Sequence, residues 1–215
     1  MLHILRHTFN PFQENTYVIH DGGQAILVDP GCWNTGEENE LARSLREADL
    51  TPVKLVLTHA HLDHVLGNAW VEERYGLRPW MHRNDLPLLE AAPRQGHVYG
   101  IPCTPSPAPE GFLEDGDVIE LSGGRLEVLF IPGHAPGHIV LHCVEQQFVI
   151  GGDVLFQESI GRTDLPGGDT DTLLAAIREK LFTLPDATVI HPGHGPETTI
   201  GHEKRHNPFL RGLNG

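Results

Sequence analysis

The segment Thr58-His59-Ala60-His61-Leu62-Asp63-His64 places four side chains of metal-ligand type within six positions. It follows the apolar run Lys54-Leu55-Val56-Leu57. Residues two apart on a strand point to the same side, so His59 and His61 can reach one ion together as the strand gives way to a loop. Asp63 and His64 then stand at the turn into the next helix, where a second ion would sit. Imidazole is the commonest metal ligand, and α/β sheets commonly hold ligands at the C-terminal ends of their strands. The bland alternative is a capped helix preceded by incidental histidines. Four ligand types packed so closely argue against it.

Three further segments share one pattern, an apolar run ending in glycine and then a side chain of ligand type. Pro132-Gly133-His134 follows Leu126 to Ile131, Gly151-Gly152-Asp153 follows Gln147 to Ile150, and Pro192-Gly193-His194-Gly195 follows Ala187 to Ile190. Glycine lets the backbone turn close to a small object. Each segment alone would be an ordinary turn; beside the first cluster they point to strand ends that converge on metal. The chain's 15 histidines fit that requirement.

The elements that must position these groups are legible from hydrophobic periodicity and turn residues. Strands are expected at Asn15 to His20, Gln24 to Asp29, Val53 to Thr58, Arg125 to Ile131, His138 to Val144 and Gln147 to Ile150, with Asp21-Gly22-Gly23 as a hairpin turn. Helices are expected at Glu37 to Asp49, Asp63 to Tyr75, Asn84 to Ala92, Asp169 to Leu184 and Gly201 to Leu210. In the fourth, Asp169 or Thr170 caps the N-terminus and Leu173, Leu174, Ile177 and Leu181 share a face. The proline-rich stretch Ala91 to Gly111 reads as a surface loop. The order of elements suggests a layered α/β domain with mixed sheets.

A single domain over residues 1–215 is expected, long enough to bury its own core. The formal charge of −14 opposes contact with phosphate backbones and anionic lipid, which disfavours nucleic acid and a membrane surface. Met1 to Arg6 carries no secretory pattern and no stretch approaches the ~20 apolar residues of a bilayer span, so a cytoplasmic location is expected. Cys32, Cys103 and Cys143 are odd in number and widely spaced, hence free thiols.

In their order along the chain, Thr58 to His64, Gly133-His134, Gly152-Asp153 and Gly193-His194-Gly195 resemble the signature of the metallo-β-lactamase superfamily, with coverage from Asn15 to Leu210. More narrowly, Asn15-Thr16-Tyr17, Pro132 to His138, Gly161-Arg162-Thr163-Asp164 and the tail His206-Asn207-Pro208-Phe209-Leu210 are similar to short bacterial type II glyoxalases, the hydroxyacylglutathione hydrolases. The resemblance implies a four-layer αββα sandwich of two mixed sheets. It implies two divalent metal ions, zinc foremost with iron or manganese also suited to the donors. His59, His61 and His134 would hold one, Asp63, His64 and His194 the other, and Asp153 would bridge both. His138 and His191 would stand behind the ligands or serve structure. Two ions about 3.5–4 Å apart would acidify a shared water and clamp the oxygen of a tetrahedral intermediate; Asp63 would orient that water.

The activity implied is hydrolysis of a thioester such as S-lactoylglutathione to a thiol and a hydroxy acid. A mono-iron persulfide dioxygenase using His59, His134 and Asp153 is the first alternative, a lactone or other ester hydrolase the second, and a non-catalytic binding domain the third. Arg162 would steer an anionic substrate or pin its loop through Asp164. Longer type II glyoxalases add a C-terminal helical domain that contacts glutathione; here the nearby basic candidates are Lys204, Arg205 and Arg211. Oligomeric state has no signal in the sequence.

Overall fold

The computed structural model describes residues 1–211; residues 212–215, the tail of the expected domain, lie outside the described residues. The chain clusters into two compact units, Met1–Leu113 with Glu120–Gly124, and Glu114–Ile119 with the chain from Arg125 onward.

The first unit is built on a mixed six-stranded sheet whose strands lie in sequence order. These are β1 (His3–Phe9), β2 (Glu14–His20), β3 (Gln24–Val28), β4 (Thr51–Val56), β5 (Pro79–Met81) and β6 (Gly111–Phe112). The first three pair antiparallel, and β3 through β6 pair parallel. The expected hairpin turn is present: Asp21 Oδ1 accepts from the amides of Gly23 and Gln24. Strand β1 was not expected. It is an edge strand in which His3, Arg6 and His7 interrupt the apolar alternation, and charge on an edge guards against pairing with another chain.

Helix α1 (Thr35–Glu47) starts two residues before its expected position because Asn34 caps it, accepting from the amides of Gly36 and Glu37. Leu41 and Leu45 from its inner face join Val18, Leu27, Leu55 and Val71 in one apolar cluster. The helix expected at Asp63 to Tyr75 is two helices, α2 (Leu62–Val65) and α3 (Asn68–Tyr75). Gly67 separates them: its amide donates to Pro30 O at 2.8 Å, and a Cβ there would lie 2.5 Å from Cys32 Sγ. The helix expected at Asn84 to Ala92 is α4 (Leu86–Tyr99), which runs through Pro93 into the stretch read as loop. Proline removes one backbone bond, and burial of Leu89 and Ala92 on the inner face carries the helix past it.

The second sheet has the order β14-β13-β10-β9-β8-β7. Its members are β7 (Val118–Leu121), β8 (Gly124–Phe130), β9 (Ile139–Cys143), β10 (Phe148–Gly152), β13 (Val189–Pro192) and β14 (Thr198–Thr199). A separate hairpin joins β11 (Leu155–Phe156) to β12 (Ser159–Ile160). Strand β9 is antiparallel to both β8 and β10, and β13 is parallel to β10, so β8, β10 and β13 run in one direction.

The helix expected from Asp169 to Leu184 is α5 (Thr170–Ala176), capped by Asp169, followed by a π-helical turn at Ile177–Leu181. Ile177 and Leu181, four and eight residues after Leu173, point inward beside it, on the face that the helical periodicity implied. The last helix, α6 (Ile200–His206), stops short of the expected Leu210, because Pro208 drives Asn207 into the extended region. All three cysteines are free, with Cys32 and Cys143 buried. Among the described residues no helix is long and apolar enough to cross a membrane.

Leu173 is fully buried among Ile131, Val140, Val149, Ile177 and Ile190. Leu173→Ala is expected to cost about 2–5 kcal/mol, seen in urea denaturation as a lower midpoint at unchanged slope.

Candidate metal centre

Every residue expected to bind metal follows the C-terminal end of a strand: His59, His61, Asp63 and His64 follow β4, His134 follows β8, Asp153 follows β10, and His194 follows β13. Each unit thus carries one cluster of imidazoles and carboxylates.

In the first unit the chain must turn sharply after β4, and what holds the turn is Asp29, just beyond the parallel strand β3. Its Oδ1 accepts from the Thr58 amide at 2.7 Å and its Oδ2 from the Thr58 hydroxyl at 2.5 Å. With its hydrogen so directed, Thr58 Oγ1 accepts from His59 Nδ1 at 3.1 Å. The same Asp29 Oδ2 lies 3.1 Å from His64 Nδ1, an imidazole N–H facing a carboxylate. Both rings therefore carry their proton on Nδ1 and present the lone pair of Nε2. Such outer partners are what fix tautomer and ring orientation in metal sites. The rings of His59 and His64 sit 4.1 Å apart between centroids, and those of His59 and His61 4.8 Å. Asp63 Oδ2 lies 3.5 Å from His64 Nε2. Behind them, the Ala60 amide donates to buried Asp85 Oδ2 at 3.0 Å, and Asn10 Nδ2 donates to the Asp63 carbonyl at 3.0 Å.

Asp29, His59 and His64 have donor atoms within 4.8 Å of one another. Asp29 is nevertheless the orienting group rather than a ligand, because both its oxygens are committed to Thr58 and His64. Glu14 lies fully buried beside it, with Oε1 3.9 Å from His64 Nδ1. Burial pushes the Glu14 carboxyl well above the usual range; His64 opposes this, and Asp29 and Asp63 add to it.

In the second unit, His134 Nδ1 donates to the Arg162 carbonyl at 2.7 Å, which leaves its Nε2 lone pair 3.7 Å from Asp153 Oδ2. Asp153 Oδ1 is 3.0 Å from His194 Nδ1. The Asp153 amide donates to His138 Nε2 at 3.0 Å, so His138 shapes the backbone of that loop from behind. His191 pairs instead with Glu197 at 3.0 Å and packs edge-on against Phe148. The Arg162 guanidinium makes a two-pronged bond to Asp164 at 2.7 and 2.8 Å. That bond, more than any other contact, holds the exposed Asp164 carboxyl down at about 2.

These donors fit divalent metal. His59, His64 and His134 have Nδ1 engaged by protein oxygen, which turns Nε2 to the ligand role, and carboxylates stand within 4 Å of the His64 and His134 rings. Imidazole and carboxylate without thiolate suit zinc, iron or manganese. Of the basic candidates near the tail, Lys204 and Arg205 both face Asp186, at 2.8 and 3.5 Å, and Arg211 donates to the Arg205 carbonyl.

Asp29, Glu14, Asn10 and Asp85 were missed in the sequence. Asp29 had a partial signal, since it is an acidic residue closing a buried apolar strand, although no glycine precedes it as one precedes Asp153. The other three are polar residues without a motif, and only burial reveals them.

The sequence model of the metallo-beta-lactamase superfamily matches residues 9–194. Hydroxyacylglutathione hydrolase GloC of Haemophilus influenzae is 42% identical over 202 residues, 93% of each chain. Among solved structures, the BLEG-1 B3 metallo-beta-lactamase aligns with a TM-score of 0.88 at 35% identity, over 98% of this chain and all of that one. TTHA1623 in a di-iron-bound form aligns with a TM-score of 0.86 at 40% identity, over 96% of this chain and 100% of that one. With this coverage, the fold expected from the motifs, and imidazole-carboxylate clusters at the strand ends, the chain belongs to the metallo-β-lactamase superfamily and is a GloC-like metal-dependent hydrolase.

Proposed function

We propose that the chain hydrolyses a thioester, S-lactoylglutathione or a related acyl thiol, with two divalent ions held by the two ligand clusters acting together. As the family resemblance implies, His59, His61 and His134 would hold one ion, Asp63, His64 and His194 the other, and Asp153 would be shared. The observation that carries this reading is the commitment of Nδ1 on His59, His64 and His134 to protein oxygens, which fixes the tautomer and ring orientation that metal binding through Nε2 requires. The likeness to the hydroxyacylglutathione hydrolase GloC and to TTHA1623 in its di-iron-bound form supports it. Zinc is the first assignment, iron or manganese the others.

Bound metals would supply an acidified water and a Lewis-acid clamp for the carbonyl oxygen. Asp63, whose side chain stays partly exposed, accepts the hydrogen bond of the attacking water and sets its direction. A thiol leaving group of pKa around 8.5 departs as thiolate without a strong general acid, so the chain needs no further proton donor. A small-molecule substrate in the cytoplasm suits a chain of charge −14 better than a nucleic acid does. Arg162, paired with Asp164 and 60% exposed, would steer an anionic substrate toward the metals.

Metal analysis of the purified protein is expected to find about two ions per chain, with S-lactoylglutathione cleaved. Asp63→Ala is expected to lose an ion and cut kcat/KM by a factor of about 10² or more. One iron per chain, with oxygen uptake on a persulfide and no thioester cleavage, would instead make the protein a dioxygenase. Arg162→Ala is expected to raise KM with kcat and the thermal midpoint unchanged; a lowered midpoint at constant KM would reduce Arg162 to a loop pin.

A further inference from the structure

The tail motif His206 to Leu210 has no part in the chemistry above, yet its buried residues reach back to the loop that carries metal ligands. Glu203, on α6, is fully buried and uses both carboxylate oxygens. Its Oε1 accepts from the Thr198 hydroxyl, and its Oε2 accepts from the Glu158 amide at 2.9 Å and from Asn207 Nδ2 at 2.8 Å. Asn207, also fully buried, donates through the same Nδ2 to the Ser159 carbonyl at 2.9 Å and accepts from the Phe209 amide at 3.0 Å. Leu210 then packs into the core against the cluster of Val154, Leu155 and Ile160.

What Glu203 and Asn207 grip is the tip of the β11–β12 hairpin, where Glu158 sits at a φ of 56°. Without a side-chain ladder, a hairpin of two-residue strands has little stability of its own. Yet this one touches all three expected ligands of its unit. Asp153 lies just before it. Gly161 lies just after it, so close that a Cβ there would fall 1.8 Å from the Asp153 carbonyl and 3.0 Å from His134 Nδ1. The next residue, Arg162, supplies the carbonyl that holds His134. Phe156 meets the His194 ring edge-on, at a centroid distance of 6.2 Å.

We infer that Glu203 and Asn207 are positioning residues for the metal centre, clamping the 155–160 hairpin so that Asp153, His134 and His194 are preset for the two ions. The inference rests on the metal-binding reading proposed above. Loosening the hairpin leaves the ligands present but imprecisely placed, and ordering them is then charged to metal binding.

The test uses the full chain stripped of metal and titrated with Co²⁺ and Zn²⁺, for wild type, Asn207→Ala and the nearly isosteric Glu203→Gln. Expected are metal affinities about 10–100-fold weaker in each folded variant, a changed Co²⁺ absorption spectrum, and far-UV circular dichroism of the metal-free protein equal to wild type. Should Asn207→Ala fail to fold, Glu203→Gln decides alone. Wild-type affinity and spectrum in a folded variant, even with a lowered melting point, would overturn the inference and leave the pair a purely structural latch. A wild type that takes up no metal would overturn the metal-binding reading itself, which is a separate result.

Discussion

Asp29 is 2% exposed, and its carboxylate receives the Thr58 amide, the Thr58 hydroxyl and His64 Nδ1. A buried carboxylate must be answered by donors, and here the donors are the turn after β4 and the rings that follow it. The chain holds Asp29 in the left-handed region, φ 50°, a conformation costly for a residue with a side chain. That strain is offset by three hydrogen bonds that set the course of the backbone and the tautomers of two imidazoles. The parallel pairing of β3 with β4 brings Asp29 beside Thr58 although 29 residues separate them. Remove that adjacency and His59 and His64 lose their shared orientation.

The second unit solves the same problem with backbone. His134 is held by the Arg162 carbonyl, and the Asp153 amide is held by His138. Because β8, β10 and β13 share one direction, the loops bearing His134, Asp153 and His194 all leave the sheet at one edge. A parallel arrangement of this kind suits a site assembled from distant segments, since each strand contributes one loop and the sheet supplies the rigidity. Both clusters thus use the same device, a protein oxygen accepting from Nδ1 of His59, His64 and His134, with different chemical groups in the role.

The elements that escaped sequence reading failed for physical reasons. Strand β1 has histidine and arginine among its apolar residues because one side of it pairs with nothing else in the sheet, which erases the alternation that betrays half-buried strands. The strands β5, β6, β11, β12 and β14 have two or three residues each, too few for any period to show. Helix α4 passed through Pro93 because tertiary burial outweighed local propensity, and the periodic stretch from Asp63 to Tyr75 was cut by a backbone contact between Gly67 and Pro30 that no local pattern records.

By itself the sequence determined the candidate ligands, their order and the apolar run that precedes each of them, because imidazole and carboxylate chemistry and strand-to-glycine turns are local properties, and the order of these motifs carried the family resemblance. Asp169 as a helix cap and Asp21-Gly22-Gly23 as a turn were legible for the same reason. Only the tertiary structure decided which nitrogen of each ring is offered, that Asp29 orients rather than ligates, and that Glu203 and Asn207 grip a hairpin more than 40 residues upstream. Those roles depend on hydrogen bonds between segments far apart in the chain, whose partners become neighbours only through burial and strand pairing.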